Sequence, residues 1–486
     1  MDDNKEIQNK IVSGLFWKFG ERIIAQGIAF IISLVLARIL LPEQYGTVSL
    51  VLVFINIANV FVSDGLGAAL IQKKDSDEVD FSTMFFCSIG LAAVLYFILY
   101  FGAPVIARFY ENQELTRLVR VLSLQIPLAS VKTIQHAYVS KHMMFKRFFW
   151  STLGGTVISG GIGIIMAYNG FGVWALVEQY LVNSIIDMSV LFVTVRWRPH
   201  LLFSKESAKS LLSYSWKLLI AQLINTLYSE CRSLIIGKVY TEADLAFTNK
   251  GNQFPYLLIN NLNTTISAVL FPAMSMVNND VARVKDMTRK SMRLSSYVIF
   301  PSMIGMIAIA EPMIRIMLTD KWLPCIPFLR LWCLYWMLQP CQTANVQAMK
   351  AVGRSDICLR LEIIKKIIGV GLTISTMFIS VKALIVSNTF VAFISAMINI
   401  YPNRKLIKYG YKEQIGDLFP ILVLSIVMGA IVYFLNFAPI ADIIKIFLQV
   451  VLGIFLYAAG SMICGVDCYK NVLSVVEGLR RKQYNS

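Results

Sequence analysis

Long apolar runs, each about 20 residues, recur from residue 15 to residue 464 and are separated by short polar connections. As an α-helix, a run of that length crosses a hydrocarbon core about 30 Å thick. Lipid admits only helices or closed barrels, because backbone groups must be satisfied internally. These runs are too long and continuous for barrel strands. The pattern predicts about fourteen helices, centred on residues 15–40, 45–70, 82–107, 116–140, 147–168, 172–195, 210–237, 245–273, 290–315, 324–348, 358–380, 383–403, 414–436 and 440–464. The expected fold class is an all-α polytopic membrane protein.

Polar residues inside these runs keep to faces. At 100° per residue, Lys18, Glu21, Arg22, Gln26 and Ser33 of the first run fall in a sector of roughly 140°. Lys217, Gln222, Asn225, Ser229 and Arg232 of the seventh do the same. Asn56 lies on a stripe of the second run with Ser49, Ser63 and Gly67; Lys132, Thr133, His136 and Ser140 share one side of the fourth. The eighth run is polar on several sides, with Lys250, Gln253, Asn260 and Asn263. An ionised side chain near mid-bilayer costs about 2.5–3.5 kcal/mol on insertion scales, so such groups face water or one another. The expectation is a hydrated, mainly cationic cavity between two lobes, with Lys18, Arg22, Asn56, Lys132, Lys217, Asn225, Arg232 and Lys250 as candidate substrate-binding residues. Glu21, Asp64, Asp187 and Glu230 are candidate ion-coupling groups, with Asp187 read as a lone carboxylate in mid-span. Blander readings stand beside these. Glu21 can pair with Lys18 or Arg22, Lys18 can snorkel to the headgroups, His136 can be a packing histidine, and the Asn and Ser stripes can be interhelical glue. Glu362 and Lys366 read as an i,i+4 pair.

The connections alternate in charge. "QKKDSDEVD", "KHMMFKR", "RWRPHLLFSKESAK" and "NRKLIKYGYK" carry Lys and Arg, whereas "LPEQYG", "YENQEL" and "YNGFG" carry almost none. Summed with the termini, roughly 26 basic residues fall on one side and about 7 on the other, which places both termini in the cytoplasm. The formal net charge of +16 is thus mostly an orientation signal, and no nucleic-acid partner is expected. The start, "MDDNKEIQNKIVSG", is acidic and shows no cleavage pattern, so the first helix is expected to be retained.

Two segments overlay at an offset of about 200 residues. "FWKFGERIIAQ" matches "SWKLLIAQLIN", and "ARILLPEQYG" matches "GKVYTEADLA". This fits two pseudo-symmetric six-helix lobes with two further helices, divided at 1–200, 201–405 and 406–486, the last part including a cytoplasmic tail. The glycines of "LGGTVISGGIGI", residues 153–164, predict close helix contact.

Composition narrows the class. Hydrophobic residues are 57% and charged residues 15% of 486, against roughly a quarter charged in soluble domains. The eight cysteines form no CxxC pair and accompany no His cluster, so no metal and no disulfide framework is expected. There is no Walker A loop, dinucleotide glycine pattern, HExxH or nucleophile elbow, and no long extramembrane loop to hold one. An enzyme is not expected, nor any cofactor.

The stretches "ARILLPEQYGTVSL", "FVSDGLGAALIQKK", "GFGVWALVEQYL", "VLFPAMSMVNND", "AEPMIRIMLTDKWLPCIPFL" and "AVGRSD" occur in that order over much of the chain. Together they resemble the polysaccharide-transport branch, Wzx-type and colanic-acid-exporter-like, of the multidrug/oligosaccharidyl-lipid/polysaccharide exporter superfamily. The resemblance implies a MATE-like fold of twelve to fourteen helices in a bacterial inner membrane. It also implies a flippase that carries polyprenyl-diphosphate-linked sugar repeats to the periplasmic leaflet by alternating access, for O-antigen, capsule or exopolysaccharide assembly. Membrane lipids and a polysaccharide polymerase are the implied partners. Two alternatives are a cation-coupled multidrug exporter of the same superfamily and a non-transporting membrane component of polysaccharide assembly. The family's charged cavity positions are not a strict motif, so the candidate residues above rest on periodicity alone.

Overall fold

The computed structural model describes residues 20, 23–64, 66–73, 76–144 and 146–465. Lys18, Glu21 and Arg22 lie outside them, as do Cys468 and the tail. Within them the regular structure is helical. In chain order the helices are α1 (Ile23–Ile39), α2 (Pro42–Asn59), α3 (Leu66–Gln72), α4 (Glu78–Phe109), α5 (Glu114–Leu122), α6 (Gln125–Lys141), α7 (Lys146–Tyr168), α8 (Val173–Thr194) and α9 (Lys205–Val239). They continue with α10 (Glu242–Ser275), α11 (Val281–Ala308), α12 (Ala310–Leu318), α13 (Ile326–Met337), α14 (Gln339–Ala351), α15 (Ser355–Thr376), α16 (Val381–Leu406), α17 (Tyr411–Phe434) and α18 (Asp442–Ile463). A π-helical turn, Val60–Asp64, follows α2.

The described part of each of the fourteen predicted stretches falls on a helix or on two consecutive helices. Among the described residues eight helices are long and apolar enough to cross a membrane, or nine spans if α11 and α12, bent by 73°, count as one. The first stretch lies partly outside the described residues, and the other four fall short for visible reasons. The fourth and tenth stretches are broken, at Ser123–Leu124 and at Leu338. Arg360, Glu362, Lys365 and Lys366 load α15 with charge, and α9 carries the polar face described above.

Local chemistry explains several helix starts. Asp77 accepts from the Asp80 amide at 2.8 Å and begins α4; Ser204 begins α9, Asp280 α11 and Ser380 α16 in the same way. Pro42 occupies the first turn of α2, where its missing amide hydrogen costs nothing.

By packing, the chain forms two compact units, Met1–Ala246 and Phe247–Ser486. In the first, α9 packs on α2, α3, α4 and the π-turn. In the second, α17 packs on α11, and α18 on α17. The first unit's interior includes Leu36, Val51, Leu118, Ile126 and Val177, and a separate cluster joins Phe81, Phe85 and Ile134 to Trp197. Trp197 belongs to the connector before α9, which is further pinned to α4 where Ser82 and Thr83 accept from the His200 and Ser204 amides, both at 3.1 Å. The expected glycine contact is present: a Cβ at Gly155 would lie 3.2 Å from the Asn183 carbonyl oxygen, so α7 and α8 meet backbone to backbone. Glu362, expected to pair with Lys366, also bonds Lys365 at i,i+3, and Lys365 is 9% exposed.

Candidate functional site

The polar side of α6 opens into a cavity of about 360 Å³ in the first unit. Lys132, Thr133, His136, Ala137 and Ser140 line it from α6, and Ser63, Gly67 and Ile71 from the π-turn and α3. Lys132, His136 and Ser140 are spaced at helical repeats, so one face of α6 supplies all three. The π-turn beside them is a local widening of the kind that recurs at functional sites. Its last residue is Asp64, whose side chain is outside the description.

The reading of Asp187 as a lone carboxylate is corrected. Its Oδ2 lies 2.9 Å from Lys132 Nζ, and Ser151 donates its hydroxyl to the same carboxylate. Asp187 is 7% exposed. The pairing explains how both charges are tolerated in an apolar unit, since their attraction offsets part of each one's desolvation cost. His136 stacks on Phe148, with ring centroids 4.4 Å apart, while its Nε2 is buried and makes no hydrogen bond. Thr133 reaches Ser63 at 3.3 Å and bonds the Ala129 carbonyl at 2.8 Å.

A second polar patch lies where α9 crosses α2. Asn56 Nδ2 donates to Glu230 Oε1 at 3.0 Å, and Arg232 lies within electrostatic reach of Glu230. Lys217 and Asn225 are exposed on α9, and Arg232 is half-buried. The structure therefore brings Asn56, Glu230 and Arg232 together, and none of the three lines the Lys132 cavity. Lys250 is elsewhere again, in the second unit. It is 5% exposed, lies 5.8 Å from the Trp322 ring centroid and bonds Gln253 at 3.1 Å. Asn252 and Asn263 of the same helix bond Trp336 and Thr343, so part of the eighth run's polarity is interhelical bonding.

One cluster was not anticipated. Glu242, the first residue of α10, accepts from Thr47 Oγ1 and Asn112 Nδ2, both at 2.7 Å. It thereby joins the α4–α5 loop and the starts of α2 and α10. The backbones touch there: a Cβ at Gly46 would lie 1.9 Å from the Glu242 carbonyl oxygen, and one at Gly237 would lie 2.1 Å from Leu50. Lys238 bonds Glu111 at 2.9 Å and the Phe109 carbonyl at 2.6 Å. A signal was available, because the two overlaid segments "LPEQYG" and "YTEADLA" are the two corners that meet.

Among the described residues no group of three or more His, Cys, Asp and Glu could hold a metal ion, and Cys87, Cys231, Cys325, Cys333, Cys341, Cys358 and Cys464 are free thiols.

Comparison with known proteins adds an independent line. A family described as "Polysaccharide biosynthesis protein" matches residues 35–327. The succinoglycan biosynthesis transport protein ExoT of Rhizobium meliloti is 24% identical over 347 residues, 71% of this chain and 70% of ExoT. The lipopolysaccharide biosynthesis protein WzxC of Escherichia coli is 23% identical over 369 residues, 74% and 73% of the two chains. Among solved structures, the lipid II flippase MurJ in an inward closed conformation superposes with a TM-score of 0.77 at 16% identity, covering 95% of this chain and all of MurJ. An inward-facing multidrug resistance MATE transporter of the MOP superfamily gives 0.62 at 15% identity, over 79% and 94%. At those identities the structural likeness speaks for the fold alone.

Proposed function

Because this chain belongs to the polysaccharide biosynthesis protein family of Wzx-type transporters, with the MOP-superfamily fold, we propose that it flips polyprenyl-diphosphate-linked sugar repeats between membrane leaflets by alternating access. At the coarser level it is a multi-pass membrane transport protein of polysaccharide biosynthesis with bacterial relatives, not an enzyme. The finer reading is an inner-membrane protein of about fourteen spans, two six-helix lobes and two further helices, with both termini in the cytoplasm. The charge alternation of the loops and the fourteen helical stretches support it. A polymerase of the same assembly line would take the flipped product.

The observation that carries this reading is the polar lining inside otherwise apolar helices: an open pocket under α6 and an exposed Lys–Asn face on α9. A diphosphate headgroup leaving water needs its solvation replaced by charge-assisted hydrogen bonds, which Lys217 and Arg232 can supply. Lys18 and Arg22 are proposed for the same task from their sequence face. Sugar hydroxyls need the uncharged donors and acceptors that Asn56, Asn225 and the Ser and Thr groups offer. A drug exporter coupled to cations would offer a bare carboxylate, and Asp187, beside the pocket's Lys132, is already paired with it.

The test is depletion of the protein in its host. Lipid-linked repeats should accumulate on the cytoplasmic leaflet, and a chain carrying Arg232→Ala with Lys217→Ala should insert but restore export at least about 10-fold less well, a loss of about 1.4 kcal/mol. Full restoration by that double variant removes both residues from the site. Export unchanged on depletion removes the reading.

A further inference from the structure

The α6 pocket has a chemistry unlike that of the α9 face. Among the described residues, Lys132 is the lining ammonium, and Asp187, which is not part of the lining, already pairs with it at 2.9 Å. A phosphate placed on Lys132 would compete with that carboxylate for the same ammonium. A hydroxyl does not, because it accepts from the ammonium and brings no charge of its own. The buried Nε2 of His136 makes no hydrogen bond and is left to pair with a hydroxyl. Ile71 and Ala137 give the pocket an apolar wall suited to the C–H face of a ring. At about 360 Å³ its volume lies in the range of small-molecule sites.

We propose that this pocket is a subsite for one uncharged sugar residue, its hydroxyls bonding the ion-paired Lys132 and His136. The lipid-linked glycan it belongs to is the one of the flippase reading above, on which this inference rests. The lipid diphosphate is held elsewhere, so the pocket reads the glycan and not the carrier.

The experiment separates the two. Full-length protein carrying Ser140→Cys, a residue of the pocket wall, is labelled in detergent with a small maleimide, against the parent chain as background. The probes are methyl glycosides of neutral hexoses, deoxyhexoses and N-acetylhexosamines, and inorganic pyrophosphate. At least one glycoside should slow labelling by 5-fold or more (~5-fold, about 1 kcal/mol of occupancy) in a saturable manner, and pyrophosphate should not. His136→Phe, which keeps the stacking on Phe148, should abolish that protection. Protection by pyrophosphate, protection that survives His136→Phe, or no protection by any glycoside overturns the proposal. Reconstituted protein that moves no lipid-linked sugar, yet shows glycoside protection, would overturn the flippase reading and leave the sugar subsite standing.

Discussion

Two polar clusters inside the helices have similar composition and opposite character. In the second unit, Asn345 bonds Gln414 in both directions at 2.9 and 3.0 Å, and Asn403 donates to Asn345 Oδ1 at 2.7 Å. Asn345 and Gln414 are wholly buried and satisfy each other between α14 and α17, and Asn403 joins them from α16 with its own Oδ1 left without a hydrogen bond. At its edge Arg289 grips Asp417 with two bonds of 2.6 and 2.7 Å. In the first unit, Lys132 pairs with Asp187, His136 Nε2 makes no hydrogen bond, and Lys132 and His136 line a cavity. The difference teaches which intramembrane polar groups are glue and which wait for a ligand. A buried pair whose members satisfy each other, as Asn345 and Gln414 do, needs no further partner, whereas polar groups on a cavity wall retain capacity to bind.

The largest effect should come from breaking the buried Asn345 network. Asn345→Leu orphans groups on both Gln414 and Asn403, each at about 1–3 kcal/mol. The melting temperature in detergent should fall steeply, and a melt equal to the parent's would show that the network is not cohesive.

The Glu242 corner lies between the two clusters in kind. It is satisfied, yet it is built from helix starts and loop ends that a transporter can part. Gly46→Val puts side-chain atoms where the Glu242 carbonyl now sits, so the corners must separate. Transport should fall at least about 10-fold, with faster hydrogen exchange at residues 40–47 and 240–246. Unchanged exchange would show that the contact is not specific.

The open cluster should respond as a pair. Asp187→Asn alone leaves Lys132 without its counter-charge and should destabilise more than the double variant Lys132→Met with Asp187→Asn, because removing one partner of a buried pair costs more than removing both. The melting temperatures of these two variants and of Lys132→Met alone, set against the parent's, form a double-mutant cycle. Additive effects would deny the pairing.

The smallest effect concerns pH. Lys238 beside Glu111 holds this exposed loop carboxyl below its usual 4.5. Since the folded value is the lower one, the contact contributes at neutral pH and is lost as pH falls through the lowered value. Exchange at the α4–α5 loop should rise in the parent as pH falls through that lowered value and show less pH dependence in Glu111→Gln.

Helix positions were legible in the sequence because apolar runs and basic connections are local signals. The breaks at Ser123–Leu124 and Leu338 were not, since each interrupts an otherwise continuous pattern. The face of α6 was legible from spacing alone. The partner of Lys132 was not, because Asp187 lies 55 residues away on another helix and periodicity within one helix carries no information about its neighbours. Glu242 was missed for a similar reason: at a helix start it reads as a dipole-friendly acid, and only the fold brings Thr47 and Asn112 to it.

The central claim is tested most directly with purified protein in liposomes and a fluorescent polyprenyl-diphosphate-linked oligosaccharide. The lipid's accessibility to a membrane-impermeant quencher is followed over time. The account predicts that the parent protein accelerates exchange between leaflets and that Arg232→Ala with Lys217→Ala removes most of the acceleration. No acceleration under any imposed ion gradient would contradict it.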